Sequence, residues 1–115
     1  MKEFMLIFRF TNLDEAWRNP KMDYKQWQDW IGGIAAQKKF VDSGKQLGIS
    51  GSVVKPNNVV TDGPFVEIKE MLGGYMFIKA ESLAEATEMA KGCPLIISNE
   101  GSVEVRPVTE PGTKT

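Results

Sequence analysis

The stretch Phe4-Met5-Leu6-Ile7-Phe8-Arg9-Phe10 decides how the rest of the chain is read. Phe4, Leu6, Phe8 and Phe10 alternate with Met5, Ile7 and Arg9, a period of two in β-forming residues, which predicts a strand. A strand at the surface of a sheet carries polar groups on its outer face, but here both faces are apolar. A second stretch behaves the same way: Tyr75-Met76-Phe77-Ile78 is a continuous apolar run closed by Lys79. The sheet built from these strands therefore needs a cover on each side.

The residues between them supply one cover. Thr11 to Met22 reads as a polar connection in which Trp17 docks on something. Asp23 opens a helix, with Gln26 three residues on in capping-box spacing. Tyr24, Trp27, Ile31, Ile34 and Val41 recur at helical spacing with Lys38 interrupting, and Gly44 is a natural stop. Gly32-Gly33 inside this helix suggests that another backbone approaches closely. Leu47 to Lys55 and Val59 to Thr61 read as second and third strands joined in a hairpin through Lys55-Pro56-Asn57-Asn58. Ser82 to Glu85 is a second capping box, leading a helix that ends at Gly92. Cys93-Pro94 punctuates, Ser98 to Gly101 turns, and Val103, Val105 and Pro107 alternate with Glu104 and Arg106 in a last strand.

Strand, helix, hairpin, strand, helix, strand is the order of a ferredoxin-like βαββαβ sandwich, an α+β fold with both helices on one face of the sheet. The chain has no spare element for the other face. A second copy packed sheet to sheet would bury it, which predicts a two-fold homodimer. Residues 1–108 read as one domain, and 109–115 as a polar, frayed tail.

Composition narrows the chemistry. The 115 residues carry 14 Lys plus Arg against 15 Asp plus Glu, with one Cys and no His. A net charge of −1 argues against nucleic acid as a partner. One Cys without His excludes an internal disulfide, Cys/His zinc sites and His-dependent triads. Metal binding is left to carboxylates and carbonyls, with no suitable spacing, and glycine-rich nucleotide loops are absent, so no metal or cofactor is expected. The start shows neither a cleavable signal nor the roughly 20 apolar residues of a membrane span. A reducing cytoplasm and no membrane partner are the expectation.

The most informative loop is Asp62-Gly63-Pro64-Phe65-Val66-Glu67-Ile68-Lys69-Glu70-Met71-Leu72-Gly73-Gly74-Tyr75, where two turn clusters bracket mixed charged and apolar residues. It resembles the DGPF motif of the YCII-related family in the dimeric α/β barrel superfamily. Val103-Glu104-Val105-Arg106-Pro107 is similar to that family's closing strand, and Ser82 to Pro94 to its second helix. The resemblance implies a ferredoxin-like monomer whose sheet pairs with that of a second copy. Related branches are thought to use a His–Asp pair, which this chain, lacking His, cannot form. Val66 and Ile68 also replace an Ala and a Thr common in relatives.

Candidate site residues follow. Asp62 is either a general base and ligand anchor or, the commoner task of Asp before Gly, the cap of its own turn. Glu67 and Lys69 share a face if extended, where they can orient a polar substrate or form a solvated ion pair. These three are the catalytic candidates. Phe65, Arg9, Glu104 and Arg106 are the ligand-binding candidates. Glu104 and Arg106, two apart on one strand, form either a carboxylate clamp or a charged ladder with a neighbour. Arg9 looks for an acid such as Asp62 or Glu67, or for a ligand. Tyr24, Trp27 and Trp30 read as core packing before they read as an aromatic ligand box. Two functions remain: a small homodimer binding a small organic molecule, with cofactor-independent acid–base chemistry if it is an enzyme, or a non-catalytic ligand-sensing or protein-interaction module. The second fits the resemblance to domains linked to transcription regulators.

Overall fold

In a computed structural model of the protein, residues 1–19, 23–63 and 71–113 are described, Asp62 and Gly63 by backbone alone. The first strand, β1, runs Lys2–Phe10 with a burial pattern that alternates as the sequence does. Its Phe4, Leu6, Phe8 and Phe10 are buried, while Met5, Ile7 and Arg9 are half-buried on the other face.

The connection after β1 is more ordered than its polarity suggests. Asn12 caps a short helix, α1 (Leu13–Arg18), its side chain accepting from the Glu15 N–H at 3.0 Å. Leu13 and Ala16 are buried beneath it. The second helix, α2 (Tyr24–Ala36), opens on the expected capping box: Asp23 accepts from the Gln26 N–H at 2.8 Å, and Gln26 returns the bond to the Asp23 N–H at 3.2 Å. It stops well before Gly44. Lys38, the residue that interrupts the apolar stripe, takes a left-handed φ of 62° and ends it. Val41 therefore belongs not to the helix but to an edge strand, β2 (Phe40–Asp42). Nor does a backbone press on Gly32-Gly33, since a Cβ at either would meet nothing within 4 Å.

The expected hairpin exists as β3 (Gly51–Lys55) and β4 (Val59–Gly63), joined by a turn with Asn57 and Asn58 at positive φ. It forms a separate two-stranded sheet and supplies no strand to the sandwich. The fifth strand, β5 (Met71–Ala80), is longer than its apolar run, and Gly73-Gly74 lie inside it, not in a turn before it. Ser82 caps α3 (Leu83–Ala90) through the Glu85 N–H at 3.1 Å. Pro94 then starts a one-turn helix, α4 (Pro94–Ile97), before β6 (Gly101–Pro107).

The main sheet is antiparallel throughout, in the order β2-β5-β1-β6. Two strand–helix–strand crossovers interleave to give this order, with the hairpin inserted between them. The architecture is the ferredoxin-like α+β sandwich. The helices cover one face, where Phe4, Leu6, Met76, Ile78, Ala86 and Leu95 share a core. The large ones among these side chains each contribute about 1.5–3 kcal/mol by leaving water. Met5, Ile7, Tyr75 and Phe77 lie on the opposite face, half-buried and outside that core. No helix among the described residues is long and apolar enough to cross a membrane.

Candidate functional site

The helical face of the sheet has an opening where its core is aromatic. Phe8 and Phe10 project from β1 toward α1 and α2. Trp27 meets Phe8 edge-on, with ring centroids 5.2 Å apart and planes at 82°. Trp17 tilts against Phe10 at 4.9 Å and 59°. These rings are fixed from behind: the Trp17 Nε1–H donates to the Leu47 carbonyl at 3.3 Å, and the neighbouring Trp30 Nε1–H to the Met89 carbonyl at 3.0 Å. Between the Trp17–Phe10 and Trp27–Phe8 pairs lies a cleft of about 270 Å³, completed by Tyr24 and Ile31 of α2, the loop residues Ser43, Lys45 and Gln46, and Gly73 to Tyr75 of β5.

The 43–47 loop closes this cleft through β5. Gly44 sits at φ 65°, its N–H donating to Asp42 Oδ1 at 2.8 Å, and a Cβ there would lie 1.8 Å from the Tyr75 carbonyl oxygen. Only glycine combines that φ with that approach. Leu47 N–H then donates to the Gly73 carbonyl at 2.8 Å, and Tyr75 N–H to the Lys45 carbonyl at 3.4 Å. Gly73 leaves room on the other side, where a Cβ would come within 2.5 Å of the Phe10 ring. The paired glycines thus make room for both neighbours, Gly73 for the Phe10 ring and Gly74 for the Lys45 carbonyl, which a Cβ there would approach to 2.9 Å.

Among the described lining residues Lys45 is the one charged side chain; Ser43, Gln46 and Tyr24 add neutral polar groups. Such a surface offers apolar area and ring faces, with few polar groups.

A separate charged group occupies the other face of the sheet. Arg9 donates through Nε at 3.1 Å and Nη2 at 2.9 Å to Glu104 Oε1, and Arg106 Nε lies 3.8 Å from Glu104 Oε2. Among the described side chains the acid that meets Arg9 is thus Glu104, across the β1–β6 pairing; Glu67 and the Asp62 side chain lie outside the described residues. This is the ladder reading of Glu104 and Arg106, and half-exposed pairs of this kind contribute about 0–1 kcal/mol each. The ladder and the aromatic cleft lie on opposite faces.

Asp62 sits in β4 opposite Ser52. Phe65, Glu67 and Lys69 lie outside the described residues. Cys93 is buried, and loss of solvent pushes its thiol up to about 12, so it is no nucleophile. Among the described residues no cluster of three or more acidic or Cys side chains is placed to hold a metal. Trp27 and Trp30 do pack on the core, as their spacing suggests, but Tyr24 is 77% exposed and Trp27 serves core and cleft together. The sequence reading missed Lys45 and Gln46; the available signal was a bulky Trp17 stranded in a polar segment, which needed a partner.

Comparison with known proteins places the chain in a family. The chain is 36% identical over 115 residues to an uncharacterised protein of Rhizobium meliloti (strain 1021), covering 90% of this chain and 89% of that protein. It is similar, at 16% identity and a TM-score of 0.45 covering 92% of this chain and 93% of the other, to 5-chloro-2-hydroxyhydroquinone dehydrochlorinase (TftG) of Burkholderia phenoliruptrix AC1100, solved with 2,5-dihydroxybenzoquinone. That activity and ligand are the other protein's own. Residues 5–111 match the YCII-related domain, nearly the whole length, and the chain belongs to the YCII-related family.

Proposed function

We propose that the protein is a homodimeric small-molecule-binding domain that seats a flat organic ligand in the aromatic cleft between the sheet and helices α1 and α2. The observation that carries this reading is a half-open space of about 270 Å³ whose wall is built from Phe8, Phe10, Trp17 and Trp27. The homodimer rests on Met5, Ile7, Tyr75 and Phe77, a contiguous half-buried set outside the core. If the domain is an enzyme, it needs no cofactor and works by carboxylate or Lys acid–base chemistry, with Asp62, Glu67 and Lys69 as the groups that move the proton.

A thermal-shift screen with planar organic compounds tests the cleft. A ligand that binds only the folded chain stabilises it by RT ln(1 + [L]/Kd). Raised melting in the wild type and its loss in Trp27→Leu support the reading; no shift with any compound overturns it. Light scattering at micromolar concentration tests the dimer, and a monomer refutes it. Turnover of any ligand found, retained in both Asp62→Asn and Glu67→Gln, removes those acids from the mechanism.

One observation favours the second reading, a ligand-sensing or protein-interaction module. The described wall of the cleft carries no carboxylate or thiol to act on a bound molecule. Binding without turnover is the outcome that selects it.

A further inference from the structure

Among the described residues that line the cleft, one, Lys45, is charged. Lys45 stands in the loop whose backbone is held against β5 by the Leu47–Gly73 and Tyr75–Lys45 bonds, so its Cα is fixed although its side chain is exposed. Three other lysines are paired: Lys39 with Glu85 at 2.7 Å, Lys25 with Asp29 at 3.1 Å and Lys91 with Glu88 at 2.6 Å. Lys45 makes no ion pair among the described residues, and no described carboxylate lines the cleft beside it. A cation at the rim of an aromatic slot, without a counterion among the described residues, complements a flat molecule with one anionic end.

We infer that the cleft selects aromatic carboxylates, the ring lying against Phe8, Phe10 and Trp27 and the carboxylate meeting the Lys45 ammonium at the rim. The inference rests on the cleft being the binding site. Size agrees with this class. An apolar cavity of about 150 Å³ takes one benzene ring, so the space of about 270 Å³ here admits one ring or two fused rings with a short substituent. Recognition is divided: ring burial supplies affinity, while the rim charge supplies discrimination between an acid and its neutral amide. A cationic analogue of the same shape meets Lys45 as a like charge and is rejected.

The test uses the full chain and three probes of one shape: naphthalene carboxylate, its carboxamide, and the aminomethyl cation, titrated by calorimetry at neutral pH. The wild type is expected to bind the carboxylate about fivefold more tightly than the amide, the size of a rim ion pair. Lys45→Met should bring the two to near-equal affinity while leaving the amide unchanged, and Lys45→Arg should keep the preference. Raising the salt from about 50 mM to about 500 mM should shrink it in the wild type. Equal binding of acid and amide by the wild type, or an undiminished preference in Lys45→Met, overturns the role of Lys45 and leaves the cleft standing. If none of the three probes binds, the cleft reading falls and this inference falls with it.

Discussion

The Trp27 indole stands perpendicular to the Phe8 ring, at 82° and 5.2 Å between centroids, so one aromatic pair joins helix α2 to strand β1 and walls the cleft at once. Structural and binding roles are superposed in this contact, and substitutions here should move both.

Trp27→Leu keeps an apolar side chain but removes the edge-to-face contacts with Phe8 and Trp30. The expected loss is about 1–3 kcal/mol, less than full deletion of a buried aromatic because Trp27 is only half-buried. Urea denaturation measures it, and a midpoint unchanged from the wild type would show that the ring serves the cleft alone.

Gly73→Ala tests the floor. Its Cβ would sit 2.5 Å from the Phe10 ring and 2.8 Å from Leu13, so the ring must shift toward the cleft. Overpacking of this kind costs about 1–3 kcal/mol. Any ligand found for the wild type should also bind more weakly, because the displaced ring occupies its space.

The Lys39–Glu85 pair ties the entry of β2 to the first turn of α3. The Lys39 ammonium, bonding directly to the Glu85 carboxylate, holds that group below its ordinary value of 4.5, and the Glu81 N–H adds to the effect. A carboxyl depressed in the folded state contributes stability that is present above its unfolded value and lost as pH falls through the folded one. Melting temperature should therefore drop below about pH 4.5 in the wild type, with less of a drop in Lys39→Gln. Superimposable acid limbs for the two proteins would remove the pair from the account.

Cys93, with its thiol pushed up to about 12 by burial, should resist a thiol reagent at pH 8 in the native protein and react fully in denaturant. Fast labelling of the native chain would mean that the Ala90–Leu95 turn opens readily.

The sequence carried the fold further than it carried the site, for reasons visible in particular residues. Alternation in Phe4 to Phe10 and the two capping boxes report on neighbours in the chain, and both are legible there. Helix α1 is not legible in the sequence because its six residues, fewer than two turns, carry too little apolar periodicity. Edge strand β2 was absorbed into the preceding helical period because Val41 falls on the same stripe. The hairpin was recognisable, but two paired strands do not announce which sheet they join. Glu104 and Arg106, two apart on one strand, could be read as a ladder; that Glu104 also meets Arg9 required the β1–β6 register. The cleft depends on Phe8, Phe10, Trp17 and Trp27 meeting Lys45 and Gly73, residues from five segments that only tertiary packing assembles.

The β3–β4 hairpin divides the molecule into regions of unequal permanence. Its strands pair with each other and not with the main sheet, and Val54 and Val60, opposite one another, are 68% and 61% exposed. The radius of gyration of 15.4 Å exceeds the roughly 13 Å of a compact chain this long. Opening such a hairpin costs only its own few backbone bonds, whereas opening β1 costs the core. Amide hydrogens of Ser52 to Thr61 should exchange with solvent orders of magnitude sooner than those of Leu6 or Met76, so the chain breathes at its insertion while its sandwich stays shut.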